Sequence, residues 1–154
     1  RMTDRDADGY VTLAEYLDRP QIVTRTSANR LELADGHRWA EPLTENVVRV
    51  LTENLSAVLR TDRVAAYPWQ RSQAVDFQVR VQVVQFDAGP DGAVNLVARW
   101  SVQGRDGKEL TLWRRSSFSI PAVPGNYESL VAAHSEALAR LSRDMAAELQ
   151  RLFY

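Results

Sequence analysis

The sequence predicts an α+β fold, a two-layer sandwich in which a mainly antiparallel sheet carries two amphipathic helices on one face. Three observations predict it. Residues 75–120 alternate apolar and polar side chains through three long segments separated by Gly-rich turns, the pattern of half-buried antiparallel strands. Residues 42–60 and 127–152 instead place apolar side chains three and four residues apart, the period of a helix with one buried stripe. A sheet with one apolar face and two helices with one stripe each bury those surfaces most economically against each other.

The elements follow in chain order. Residues 1–9 read as a flexible lead-in or foreign remnant, and residues 10–154 as a single domain. Gln21–Thr26 reads as a strand entered from Pro20, the turn-prone Ser27-Ala28-Asn29 follows, and Arg30–Leu33 returns as a second strand, so a hairpin is expected. Helix formation is expected from about Pro42, which suits a first turn, to Arg60, with Leu43, Val47, Val48, Leu51, Leu55, Val58 and Leu59 on the apolar side. Val64–Tyr67 would extend the sheet.

Val75, Phe77, Val79, Val81 and Val83 keep one parity, whereas Val84 and Phe86 take the other. One extra residue near Val83-Val84 restores a single buried face, which predicts a β-bulge. Gly89-Pro90-Asp91-Gly92 turns the chain into Val94, Leu96, Ala98, Trp100 and Val102. Gly104-Arg105-Asp106-Gly107 turns it back into a strand holding Leu110, Leu112, Phe118 and Ile120. Asn126 is placed to cap the last helix, whose stripe is Leu130, Ala133, Ala137, Leu138, Leu141, Met145, Leu149 and Leu152.

Composition narrows function by exclusion. The 154 residues include 19 basic and 20 acidic side chains, a formal net charge of −1, so no basic field exists to gather nucleic acid. The absence of cysteine excludes disulfides, thiolate metal sites and a thiol nucleophile. His37, beside a polar Asp35-Gly36 turn, and His134, inside the last helix, belong to no nucleophile or metal motif, and neither a zinc-protease, nucleophile-elbow nor phosphate-loop pattern occurs. No enzyme and no cofactor is expected.

Two local patterns point elsewhere. Asp4, Asp6, Asp8, Gly9, Tyr10, Thr12 and Glu15 match the calcium loop of an EF-hand, with oxygen ligands on alternate residues and a bidentate glutamate at the twelfth position. The entering helix is missing and Pro20 cuts the exiting one short, so a polar lead-in is preferred over a metal site. Arg38-Trp39, Tyr67-Pro68-Trp69 and Trp113-Arg114-Arg115 place large rings beside cations at element ends, a composition enriched at protein interfaces. Arg19, Pro20, Arg38, Trp39 and Trp69 are the expected partner-binding residues. Trp100 lies on the apolar phase of its strand and is expected in the core.

The strings Leu17-Asp18-Arg19-Pro20-Gln21-Ile22-Val23-Thr24-Arg25 and Arg38-Trp39-Ala40-Glu41-Pro42-Leu43 carry a further signal, joined by Asn46 and Asn54, Tyr67-Pro68-Trp69, Trp113–Phe118 and Ser142-Arg143-Asp144. Over about Gly9 to Leu152 the chain resembles the ABC-type transport auxiliary lipoproteins, the paraquat-inducible protein C-like family. The resemblance implies a small α/β domain serving as a non-enzymatic periplasmic component of an envelope lipid-transport system. Its implied partners are an MCE-domain protein and associated inner-membrane transport proteins, with phospholipid as a further candidate and a homo-oligomer as a candidate assembly. It also implies outer-membrane anchoring of the full-length form through a lipidated cysteine. This chain has none, and the expectation is that the anchor has been cut away.

Overall fold

The computed structural model describes residues 11–13, 17, 21–27, 30–38, 43–60, 77–104 and 107–153. Six strands and two helices are present among them: β1 (Val11–Leu13), β2 (Gln21–Ser27), β3 (Arg30–Arg38), α1 (Leu43–Leu59), β4 (Phe77–Ala88), β5 (Val94–Gly104), β6 (Arg114–Ile120) and α2 (Tyr127–Phe153). The sheet order is β3-β2-β4-β5-β6, and β1 also pairs with β4. The expected α+β sandwich is therefore what the chain builds.

The hairpin forms as read, antiparallel between β2 and β3. Its second strand runs on to Arg38 and absorbs Asp35-Gly36. Those residues are not a free turn, because β3 advances from Leu33 to Arg38 while β2 spans only Val23 to Gln21, so the surplus residues bulge out of the ladder. Two parallel pairings were not anticipated. β1 aligns Val11–Leu13 with Val81–Val83, and β2 meets β4 at Thr24 and Ala88. The expected strand at Val64–Tyr67 lies outside the described residues.

The meander of β4, β5 and β6 is antiparallel. Its register slips between Val83 and Gln85, the bulge the parity change predicted, and the extra residue, Val84, is 45% exposed. The turn into β5 closes with Gly89 N–H donating to Ala93 O at 2.7 Å and Gly92 N–H to Gly89 O at 3.0 Å. Gly92 needs its left-handed φ of 88°, and a Cβ there would lie 2.7 Å from Pro124 Cγ.

The helices cover the apolar face. On α1, Leu43, Val47, Leu51 and Leu55 are buried, whereas Val58, placed on the stripe by its spacing, is 39% exposed in the last turn. The α2 N-terminus is capped as expected, Ser129 N–H donating to Asn126 Oδ1 at 2.9 Å, while Ser129 Oγ accepts from Val123 N–H at 2.8 Å. Leu130, Ala133, Ala137, Leu138, Leu141, Met145 and Leu149 meet Val81, Val83, Phe86, Val94, Leu96, Ala98, Trp100 and Val102 in one continuous core. α2 lies against β5 and β6, and α1 packs beside α2 and reaches β1. Trp100 is 1% exposed, as its strand phase predicted. Among the described residues no helix is long and apolar enough to cross a membrane.

Candidate functional site: a cationic aromatic face on the sheet

The sheet has a second face, turned away from the helices. In an antiparallel pair directly opposed residues share a face, so the pairings of Arg80 with Ser101, Gln82 with Arg99, and Arg99 with Arg115 place three arginines on that side. Trp100, between Arg99 and Ser101, points into the core instead.

A local irregularity brings an aromatic ring onto this face. After β5, Gly104 N–H donates to Lys108 O at 2.8 Å and Leu110 N–H to Val102 O at 2.8 Å, and Gln103 bridges to Glu109. Regular pairing resumes only at Trp100 with Arg114. The chain from Glu109 to Arg114 is two residues longer than β5 requires from Gln103 to Trp100, and Leu112 and Trp113 are extruded. The expected continuous strand from Leu110 to Ile120 is thus corrected: β6 starts at Arg114 and Leu112 is 88% exposed. Two surplus residues preserve parity, so the alternation gives no sign of the break.

Trp113 gathers the cations. Arg80 Cζ lies 4.9 Å and Arg99 Cζ 5.2 Å from its ring centroid, within cation–π range. Arg80 Nη2 donates to Glu109 Oε1 at 2.5 Å and to Ser101 Oγ at 3.3 Å, and Gln103 Nε2 donates to the same carboxylate oxygen at 3.0 Å. Arg99 Nη1 donates to Gln82 Oε1 at 3.3 Å. The Arg115 side chain, exposed opposite Arg99, has no hydrogen-bond or ion-pair partner among the described residues. Among the described residues no carboxylate is paired with Arg99 or Arg115, since Glu109 is taken up by Arg80 and Gln103.

The opposite side of β6 fixes this platform. Trp100 Nε1–H donates to Ser116 Oγ at 3.0 Å, and the Ser116 hydroxyl donates to Asp144 Oδ2 at 2.9 Å, tying β5 to β6 and β6 to α2. Beside it, Glu148 accepts from Arg114 Nη1 at 3.1 Å and from Arg151 Nε at 3.1 Å. The Arg151 hydrogen bond, reinforced by the Arg114 charge, holds the Glu148 carboxyl below its ordinary range.

The expected partner-binding set is not assembled here. Arg38 closes β3, which β2 separates from β4 and the cluster, while Arg19, Pro20, Trp39 and Trp69 lie outside the described residues. The calcium-loop residues Asp4, Asp6, Asp8, Tyr10 and Glu15 also lie outside them, although Thr12 of that pattern is in β1. Among the described residues no group of three His, Cys, Asp or Glu side chains could hold a metal ion. His134 is 3% exposed, its ring 4.6 Å from that of Phe86. Its Nδ1 lies 2.7 Å from Leu130 O and so carries the proton, and burial lowers its pKa to about 4. A neutral, enclosed imidazole of this kind is a core element.

Sequence reasoning singled out Trp113-Arg114-Arg115 but missed Arg80 and Arg99. Their signal was a charged residue on the polar phase of neighbouring strands, which becomes a cluster only once the register is known.

Comparison with known proteins places this architecture. The family model for the ABC-type transport auxiliary lipoprotein component matches residues 9–146. The chain belongs to that family. Within the auxiliary lipoprotein family it is 31% identical over 90 residues to the intermembrane transport lipoprotein PqiC of Escherichia coli K12, and equally to that of Shigella flexneri. Those alignments cover 58% of this chain and 46% of each relative, so the match spans about half the length of the curated relatives. The fold recurs in a crystal structure of an uncharacterized protein, with TM-score 0.79 and 26% identity over 90% of this chain and 87% of that one. It recurs also in a Xanthomonas campestris protein, with TM-score 0.74 and 18% identity over 88% and 79% of the two chains.

Proposed function

We propose that this auxiliary lipoprotein domain acts as a docking or assembly module of an envelope lipid-transport system. On this reading it is non-enzymatic, resides in the periplasm on an outer-membrane anchor in its full-length form, and binds an MCE-domain protein coupled to inner-membrane transport proteins. The observation that carries the docking role is the extruded Leu112-Trp113 pair beside Arg80, Arg99 and Arg115. A rigid strand platform that exposes a large apolar side chain next to an arginine-flanked tryptophan has the make-up of a protein-binding hot spot.

Direct lipid carriage is the weaker alternative. The space between helices and sheet is filled by Trp100, Phe86, Leu96, Leu138, Leu141 and Met145, all with almost no solvent exposure. A calcium-binding role for the EF-hand-like loop ranks below both.

The test is co-purification. Tagged full-length protein isolated from envelopes in mild detergent should bring down the MCE-domain protein of the same organism, and Leu112→Asp combined with Trp113→Ala should lose it. Retention of the MCE protein by that double variant would refute the assignment of the docking surface.

A further inference from the structure

We infer that the face of the sheet turned away from α1 and α2 recognises a carboxylate-rich protein segment, with Arg99 and Arg115 as the paired anion receptors and Trp113 as the ring that holds Arg99 in place. The inference rests on the docking reading above and specifies the chemistry of the partner.

Its starting point is a charge arrangement that works against the fold. Arg99 and Arg115 are direct cross-strand partners and both are exposed. Like charges so placed destabilise a sheet, and nothing among the described residues offsets Arg115. Glu109 does not relieve the pair, because its carboxylate is taken up by Arg80 and Gln103. Two guanidinium groups on neighbouring strands therefore face outward with their forks largely unused. Paired carboxylates spaced across one strand-to-strand gap fit that geometry, each taking a bidentate hydrogen-bonded pair.

One of the two receptors is also held before anything binds. Arg99 is tethered by Gln82 and lies 5.2 Å from the Trp113 centroid, and Arg80 braces the other contact to the ring. A guanidinium group held in place, as Arg99 is, loses less side-chain freedom on binding than a free one. Leu112 supplies an apolar anchor at the rim.

A membrane surface fits less well. Each exposed cation strengthens attachment to an anionic leaflet only about fivefold, and two arginines with one protruding leucine give too little for stable attachment. The whole chain, at −1, adds no long-range attraction. Short, directional recognition of carboxylates uses what is present.

The experiment compares the intact chain with Arg99→Glu/Arg115→Glu and with the milder Arg99→Gln/Arg115→Gln, all checked for native circular dichroism. Titrated with hexaglutamate at low ionic strength, the wild type should show its largest NMR shifts at the Trp113 indole and the Arg99 and Arg115 amides. These should vanish on charge reversal and shrink in the glutamine pair. Absence of shifts in the wild type, or shifts that survive reversal, would overturn the inference. Against the soluble domain of the MCE protein, reversal should weaken binding about tenfold or more. Unchanged affinity would overturn the inference while leaving the docking reading intact. If the wild type fails to bind that domain, the docking reading fails and the hexaglutamate result still decides the chemistry. Phosphatidylglycerol vesicles that bind more tightly than hexaglutamate, with the same loss on reversal, would replace the acidic segment with a membrane and also overturn it.

Discussion

Ser116 stands between Trp100 and Asp144, accepting the indole N–H at 3.0 Å and donating to the carboxylate at 2.9 Å, so one hydroxyl joins two strands and a helix in the buried layer. Ser116→Ala removes both bonds and leaves the Trp100 N–H enclosed without an acceptor. A loss of about 1–3 kcal/mol is expected, a fall of roughly 2–4 °C in Tm for each kcal/mol at this chain length. Trp100→Phe combined with Ser116→Ala should cost less than the two single changes added, since it removes the orphaned donor. Urea unfolding of all three variants measures this.

His134 makes stability depend on pH. Its folded pKa of about 4 lies below the ordinary 6.5, so the unfolded chain binds more protons between those values. The stabilisation is complete above pH 6.5 and shrinks as pH falls toward 4, by about 3 kcal/mol in all at 1.36 kcal/mol per unit. Glu148, whose pKa is also depressed, loses its contribution mainly below its ordinary 4.5, so among the described groups with shifted pKa the span from 6.5 to 4.5 reports the His134 imidazole. Denaturant midpoints over that span should rise with pH in the wild type and flatten in His134→Gln.

Gly92 and Gly107 separate conformational strain from steric conflict. Both have left-handed φ, 88° and 78°, but a Cβ on Gly92 would lie 2.7 Å from Pro124 Cγ and 2.8 Å from Ala122 O, whereas one on Gly107 meets nothing within 4 Å. Gly107→Ala should cost about 1–2 kcal/mol, the left-handed penalty alone. Gly92→Ala should cost more, because the segment leading into α2 must also shift. Thermal unfolding of the two variants gives the comparison directly.

Trp113→Ala should leave the fold intact and free the arginines. Each exposed cation–π contact is worth about 0.5–1 kcal/mol, so Tm should fall by only a few degrees while partner affinity drops far more. A large loss of stability with unchanged affinity would make Trp113 a packing residue.

The outline of this fold was legible because each apolar surface kept its period. The α2 stripe, the Asn126 cap and the Val84 bulge each left a mark in spacing or parity. β1 was not legible, since three residues carry too little alternation to stand out. The break at Leu112-Trp113 was hidden for a different reason: two surplus residues return the chain to the same phase. The candidate site depended on that break and on the register joining Arg80, Arg99 and Arg115, positions separated by as many as 35 residues in the chain. Local pattern could show that each was charged and on the polar phase of its strand. It could not show that they meet.

The central claim is that partner docking occurs on the face of the meander turned away from α1 and α2. Hydrogen exchange of the intact chain with and without the soluble domain of the MCE protein tests it most directly. Protection on binding should concentrate in residues 97–101 and 111–117, with α1 and α2 unchanged. Protection confined to the helices, or none at saturating partner, would contradict the account.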